Sequence, residues 1–119
     1  MDRHELYRLQ ADLCQTLADP TRLEILDLLN DGPLPVKAIV DATGQRQTKI
    51  SQHLAVLRQR GIVRADRVGV EMHYAIADPR ILDACHITRE MLLDRLRRQG
   101  ELADRFAAVL DGGAIRRVS

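Results

Sequence analysis

The sequence predicts a mainly helical α+β chain with one small β-hairpin. Three observations support this fold class. Apolar residues recur at helical spacing over most of the chain, Asp-Pro pairs mark two helix starts, and alternation typical of strands is confined to residues 62–76. Because apolar residues make up 45% of the 119 residues but aromatic ones only 3%, we expect an aliphatic core. We predict a single domain over residues 1–110 and a flexible tail over residues 111–119.

The first two predicted helices are separated by Asp19 and Pro20. Residues 4–18 carry two apolar stripes, which indicates a helix with two packing partners. The stripes are Leu6, Leu9, Leu13 and Leu17, and Tyr7, Ala11, Cys14 and Ala18. Asp19 is a good N-cap and Pro20 a good first helical residue, so a second helix is expected to run from there to Asn30-Asp31-Gly32.

Two shorter helices follow and form a helix-turn-helix pattern. Pro35 is expected to open the first of them, PVKAIVDAT, and Gly44 suits the position just after its end. The second begins near Arg46 or Gln47 and stops at Gly61, with Ile50, Leu54 and Leu57 on one face. Two helices joined through a glycine turn are typical of DNA-binding domains.

A hairpin and a long helix complete the prediction. The strands are expected over residues 62–67 and 70–76, with Val68-Gly69 at the tip. Asp78-Pro79 opens the long helix, Gly100 ends or bends it, and Leu102, Phe106 and Leu110 suggest one or two further turns. This order predicts a winged helix-turn-helix, in which the hairpin is the wing.

Positive charge is concentrated around the second helix of this pattern. Residues 42–67 hold six basic residues and one acid, Asp66, although the whole chain has a net charge of only +1. Such a patch suits a phosphate backbone, whereas the alternative is a solvated basic helix. We predict base-edge contacts from Gln47, Thr48, Ser51 and Gln52, and phosphate contacts from Arg46, Lys49, His53 and Arg58, with a structural role as the alternative for His53. The wing residues Arg64 and Arg67 are expected to lie along the DNA backbone or to reach the minor groove.

Three segments resemble the ArsR/SmtB family of repressors: LADPTRLEILDLL, QTKISQHLAVLRQRGIVRADRVG and HYAIADPRI. The resemblance implies a homodimer held together by the first and last helices. It also implies binding to a double-stranded, palindromic DNA operator and release by a metal, metalloid or thiol-reactive signal. In one departure, Val70 stands where family wings often carry a basic residue.

The family's metal sites do not carry over to this sequence. The third helix, VKAIVDATG, lacks the cysteine pair of metalloid sensors. In the zinc-type pattern, Asp78 and Asp94 match the carboxylates, but Arg80 and Met91 replace the histidines. A second, weaker set on the last helix is Asp83, His86 and Glu90, with His4 as a further ligand; the alternative is a solvated polar face.

Cys14 and Cys85 are the candidate sensor thiols, because they lie on the two predicted dimerisation helices. They would bridge or bind a thiophilic ion such as As(III); alternatively, both only pack as small apolar residues. Two cysteines give no disulfide framework.

The remaining alternatives concern the class of protein. No Gly-rich phosphate loop, nucleophile elbow or metal-hydrolase spacing occurs, so we do not expect an enzyme. No apolar run of about 18 residues is present and the N-terminus is polar, so we expect no membrane span and a cytoplasmic location. Two further alternatives remain. One is a signal-independent DNA-binding protein in which the cysteines are structural. The other is an interaction module that does not bind DNA, and the basic patch argues against it.

Overall fold

The computed structural model describes residues 1–100, which fall into two compact units divided between Asp78 and Pro79. The first unit contains four helices, one 3-10 turn and three strands. In chain order these are α1 (Arg3–Thr16), α2 (Pro20–Leu28), the 3-10 turn Leu29–Asp31, β1 (Leu34–Pro35), α3 (Val36–Thr43), α4 (Gln47–Gln59), β2 (Val63–Val68) and β3 (Glu71–Ile76). The second unit contains α5 (Arg80–Gln99).

Aspartate N-caps start the first two helices. Asp2 Oδ1 accepts the backbone N–H of Glu5 at 2.7 Å, and Asp19 Oδ1 accepts that of Arg22 at 3.1 Å. Each cap satisfies one of the amides that a helix leaves unpaired in its first turn. The predicted Asp19-Pro20 start is therefore confirmed, whereas α1 ends at Thr16 rather than at residue 18.

The helix-turn-helix follows from the expected turn chemistry. Gly44 has a left-handed conformation with φ +69° and its N–H bonds to the carbonyl of Val40, which ends α3. The next residues, Gln45 and Arg46, lead directly into α4. Gly44 thus terminates α3 as predicted, although α3 begins at Val36, with Pro35 as its N-cap.

The sheet has one strand more than the sequence predicts. Its order is β1-β3-β2, all antiparallel, and Leu34 of β1 pairs with Tyr74 of β3. In the hairpin, Val68 pairs with Glu71, so the two-residue turn is Gly69-Val70 and not Val68-Gly69. Gly69 accounts for the shift because it has φ +64°, a conformation that valine strongly disfavours.

The core of the first unit is aliphatic, as the composition predicts. Its fully buried members, each less than 2% exposed, come from α2, α3 and α4: Ile25, Leu26, Ile39, Ile50, Leu54 and Leu57. Each stabilises the fold by roughly 1.5–3 kcal/mol relative to an exposed side chain. Half of the set belongs to α4, so burial fixes which face of that helix is turned outward.

The second unit is described through α5. The helix begins at Arg80 after Pro79, and ends at Gly100 with φ +76°. His86 and Leu93, two helical turns apart, are its buried residues. The extension predicted from Leu102, Phe106 and Leu110, and the tail over 111–119, lie outside the described residues. No helix within residues 1–100 is long and apolar enough to cross a membrane.

Candidate nucleic-acid interface

Helix α4 presents a continuous polar face. Ile50, Leu54 and Leu57, at positions i, i+4 and i+7, turn inward with no exposed surface. The opposite side of α4 therefore points away from the core. Exposed on this face are Gln47, Thr48, Lys49, Ser51 and Gln52. Amide and hydroxyl groups both donate and accept hydrogen bonds, which is what reading base edges in a major groove requires.

The N-terminus of α4 suits an anion. Arg46 occupies the N-cap position and makes no side-chain capping bond there, so its side chain does not satisfy the first amides of α4. Arg46 is itself exposed. Unpaired amides and the positive end of the helix dipole attract phosphate at such a position. This N-terminus thus lies next to the exposed amide and hydroxyl side chains of α4.

Cations extend this surface along the whole of α4. Lys49, Arg58 and Arg60 are all exposed, and residues 42–65 contain no Asp or Glu. Arg60 belongs to this set although the sequence-based candidates did not include it. Since unit charges of like sign repel at short range, an acid in this stretch would oppose phosphate binding. The exposed, acid-free surface is consistent with the predicted DNA contacts.

His53 lies against the start of α2 and not on the exposed face of α4. Its Nδ1 accepts a hydrogen bond from Arg22 Nε at 3.1 Å, and its Nε2 lies 3.9 Å from Asp19 Oδ1. The side chain is 14% exposed. The reason is helical geometry, because His53 is three residues after the buried Ile50 and so lies at the edge of the inward face. It contacts α2 instead of facing outward with Gln52.

Arg22 is the functional candidate that sequence reasoning missed. Besides contacting His53, its Nη1 donates to the carbonyl of Thr16 in α1 at 3.1 Å. A cation in the first turn of a helix is disfavoured by the helix dipole, so an arginine there signals a specific partner. One signal in the sequence could have identified Arg22, namely its position three residues after the N-cap Asp19.

The carboxyl group of Asp19 is held in its charged form. The backbone N–H of Arg22 makes the largest contribution to lowering the pKa of Asp19, and the nearby His53 and Arg22 side chains add to it. Desolvation opposes these effects but does not outweigh them. Asp19 therefore caps α2 and faces His53 as a carboxylate.

The two wing arginines both form contacts within the hairpin. Arg64 Nε contacts Asp66 Oδ2 at 3.1 Å and its Nη1 donates to the carbonyl of Ile76 at 2.9 Å. Arg67 Nε donates to the carbonyl of Gly69 at 3.4 Å. The tip is apolar, since Val70 is 94% exposed. Both predicted wing cations are thus bonded within the hairpin, and one is neutralised by an acid.

The candidate sensor residues are distributed over both units. Cys14 is exposed on α1 in the first unit, and Cys85 is half-buried on α5 in the second. His4 is exposed on α1.

The metal set predicted on α5 is not a metal site within residues 1–100. No group of three or more His, Cys, Asp or Glu residues in this range could hold an ion. Asp83 is exposed, His86 is buried and Glu90 is half-buried. Asp83 and Glu90 are seven residues apart, roughly 10 Å along the helix axis, which is too far for both to ligate one ion.

Comparison with known proteins identifies the family. The family model described as "Bacterial regulatory protein, arsR family" matches residues 19–65. The chain is 36% identical over 112 residues to the HTH-type transcriptional regulator Rv0081 of Mycobacterium tuberculosis, covering 93% of each chain. The chain belongs to the ArsR/SmtB family of transcriptional regulators. The family resemblance found in the sequence is confirmed, and family members regulate transcription by binding DNA rather than by catalysis.

Solved structures of ArsR-family proteins confirm the winged helix-turn-helix fold. The crystal structure of Rv0081 has a TM-score of 0.73 at 37% identity, covering 79% of this chain and 95% of that one. A fragment of Mb0332 from Mycobacterium bovis, described as a homodimeric winged helix-turn-helix DNA-binding domain, has a TM-score of 0.69 at 34% identity, covering 77% of this chain and 86% of that one.

A probable mercury resistance operon repressor from Streptomyces lividans is a further sequence relative. It is 35% identical over 80 residues, covering 67% of this chain and 64% of the repressor.

Proposed function

We propose that this ArsR-family regulator is a homodimeric repressor that binds a palindromic operator through α4 and is released by a thiol-reactive, sulfur, metalloid or metal signal. The observation that carries the proposal is the exposed polar face of α4 in an acid-free segment. A repressor acts on chromosomal DNA, so we also place the protein in the cytoplasm.

The proposal gives the α4 residues distinct tasks. Gln47, Thr48, Ser51 and Gln52 read base edges, because their exposed amides and hydroxyls match groups in the major groove. Arg46, Lys49 and Arg58 contact phosphates. Arg64 and Arg67 contribute less, because both are bonded within the wing. His53 is assigned a positioning role instead of a phosphate contact.

Exposed apolar faces support a dimer. Leu6, Tyr7 and Leu9 of α1 are 50%, 58% and 51% exposed, and Leu13 follows them on the same helix. Helix α5 likewise exposes Ile87, Met91 and Leu92. Clusters of large exposed apolar side chains mark interaction sites, and the related Mb0332 domain is described as homodimeric. We therefore assign α1 and α5 to the dimer interface.

The dimer and its operator are tested together. Double-stranded DNA selected by the protein from a randomised pool should contain a palindrome with half-sites about 10 base pairs apart, one helical turn. Sedimentation should give twice the chain mass, and Leu9→Glu should yield a monomer with weakened DNA binding. Glu24→Gln, an exposed change on α2, is the control. A monomeric wild type, or a pool that yields no enriched sequence, would refute the proposal.

The proposed signal acts on the two thiols. Cys14 is exposed, so a thiol reagent or As(III) can reach it in the free chain, and Cys85 is half-buried on the other proposed dimerisation helix. The similarity to a probable mercury resistance operon repressor also supports a thiophilic signal. A ligand that favours a dimer with altered spacing of its two α4 helices weakens operator binding by its differential affinity for the two states.

Fluorescence anisotropy tests the signal on the selected DNA. The affinity is measured under reducing conditions and then after diamide, inorganic tetrasulfide, arsenite or zinc. We expect one treatment to weaken binding by roughly 100-fold, a coupling of about 3 kcal/mol. Cys14→Ser and Cys85→Ser should abolish that response while the reduced proteins still bind. A wild-type response retained in both variants would exclude the thiols as the switch.

A signal-independent DNA-binding protein is the second candidate. It is favoured by the position of both cysteines on apolar stripes, where cysteine often serves only as a small packing residue. In that case the reduced protein binds the selected DNA and none of the four treatments changes its affinity.

A further inference from the structure

A chain of side-chain contacts joins the first helix of the protein to α4. Arg22, in the first turn of α2, donates from Nη1 to the Thr16 carbonyl and from Nε to His53 Nδ1, both at 3.1 Å. Asp19 accepts the backbone N–H of Arg22 and lies 3.9 Å from His53 Nε2. One guanidinium group thus bonds simultaneously to the end of α1 and to a side chain of α4.

Both partners of Arg22 explain why an arginine stands at this position. The Thr16 carbonyl belongs to the last turn of α1, where carbonyls lack an amide of their own helix. The positive charge of Arg22 is favourable at that negative helix end, although it is unfavourable at the positive start of α2. Because these two dipole effects oppose each other, they do not by themselves fix the Arg22 side chain. Its hydrogen bonds to Thr16 and His53 fix it instead.

We propose that Arg22 and His53 are positioning residues for DNA recognition, and that the hydrogen bond between them holds α4 in its binding orientation. This inference rests on the proposed function. His53 directly follows Gln52 in α4, so its anchor to α2 limits rotation of the helix about its axis. Hydrogen bonds to base edges tolerate only a few tenths of an ångström in length, so a small rotation would misplace Ser51 and Gln52.

Variants test the positioning role by anisotropy on the DNA selected from the random pool. His53→Leu removes the acceptor, and Arg22→Ala removes the donor; each should weaken binding by roughly tenfold to a hundredfold. His53→Asn keeps an acceptor near the Nδ1 position, so it should retain most of the wild-type affinity. His73→Asn, the same change on β3, is the matched control and should bind as the wild type does. Circular dichroism checks that each variant is folded.

Each outcome has a definite meaning. Weaker binding by His53→Leu and Arg22→Ala, together with retained affinity in His53→Asn, supports the proposal. Wild-type affinity in folded His53→Leu or Arg22→Ala overturns it, and so does a folded His53→Asn variant that binds as weakly as His53→Leu or, where His53→Leu is unfolded, at least tenfold more weakly than the wild type. If the wild type selects no DNA, the proposed function itself has failed rather than the positioning role.

Discussion

The pairing of surface cations predicts how operator binding depends on salt. Lys49 is exposed on α4, and no ion pair to it is found within residues 1–100. Arg64 of the wing lies 3.1 Å from the Asp66 carboxylate. We therefore expect Lys49→Gln to reduce the salt dependence of DNA binding far more than Arg64→Gln. Asp66→Asn should increase it, because it frees the Arg64 charge.

The magnitude follows from counterion release. Each phosphate that is neutralised adds about 0.9 to the slope of log affinity against log salt concentration. A dimer carries two copies of Lys49, so Lys49→Gln should lower the slope by about 1.8. Between about 50 mM and 200 mM salt, this difference changes the relative affinity by roughly 12-fold. Arg64→Gln should change the slope by a small fraction of that amount, since its local charge is already balanced.

Anisotropy titrations of the selected DNA at several salt concentrations measure these slopes. Thermal unfolding of each variant shows whether stability has changed, and no variant should lose more than about 1 kcal/mol, since the substitutions are exposed. Equal slopes for Lys49→Gln and Arg64→Gln would refute the reasoning, because the Asp66 pair would then not limit Arg64. An unchanged slope in Asp66→Asn would refute it as well.

Three further predictions concern specificity, packing and acid stability. Gln52→Ala should relax base preference at one operator position by about 1–3 kcal/mol in competition assays, whereas uniform weakening across sequences would contradict base reading. Leu54→Ala should lower the free energy of unfolding by about 2–5 kcal/mol in urea titrations, because Leu54 has no exposed surface; a loss under 1 kcal/mol would contradict its core position. The lowered pKa of Asp19 contributes stability that is present above its unfolded-state value, about 3.9, and is lost as pH falls through the folded value. Asp19→Asn keeps a good N-cap, so its stability should fall less between about pH 4.5 and pH 2.5 than that of the wild type, and equal acid sensitivity would contradict this role.

Local chemistry made most of the helical architecture predictable. The Asp19-Pro20 start, the Gly44 stop and the inward spacing of Ile50, Leu54 and Leu57 act within a few residues of one another, and the structure confirms them. Elements that depend on distant partners were missed. The two residues of β1 form a strand only because Leu34 pairs with Tyr74, forty positions along the chain.

The candidate site likewise contains features that the sequence predicts and features that depend on distant partners. The exposure of Gln47 and Ser51 on an acid-free helix follows from sequence spacing and composition. The contact between His53 and Arg22 does not, because these residues are 31 positions apart and meet only when α4 packs near α2. The sequence therefore left open whether His53 contacts phosphate or is structural, whereas the structure places it against α2.

The sequence by itself determined the family, the helix-turn-helix and the sign of the charge on α4, because each depends on residue types at short spacing. The contact between Arg64 and Asp66 also follows from short spacing, because the two residues are two positions apart in one strand. Tertiary structure alone decided the contacts of Arg22, which bonds to both α1 and α4. The sequence determines the charge of Arg22, but whether partners 31 positions apart come within a few ångströms depends on how the helices pack.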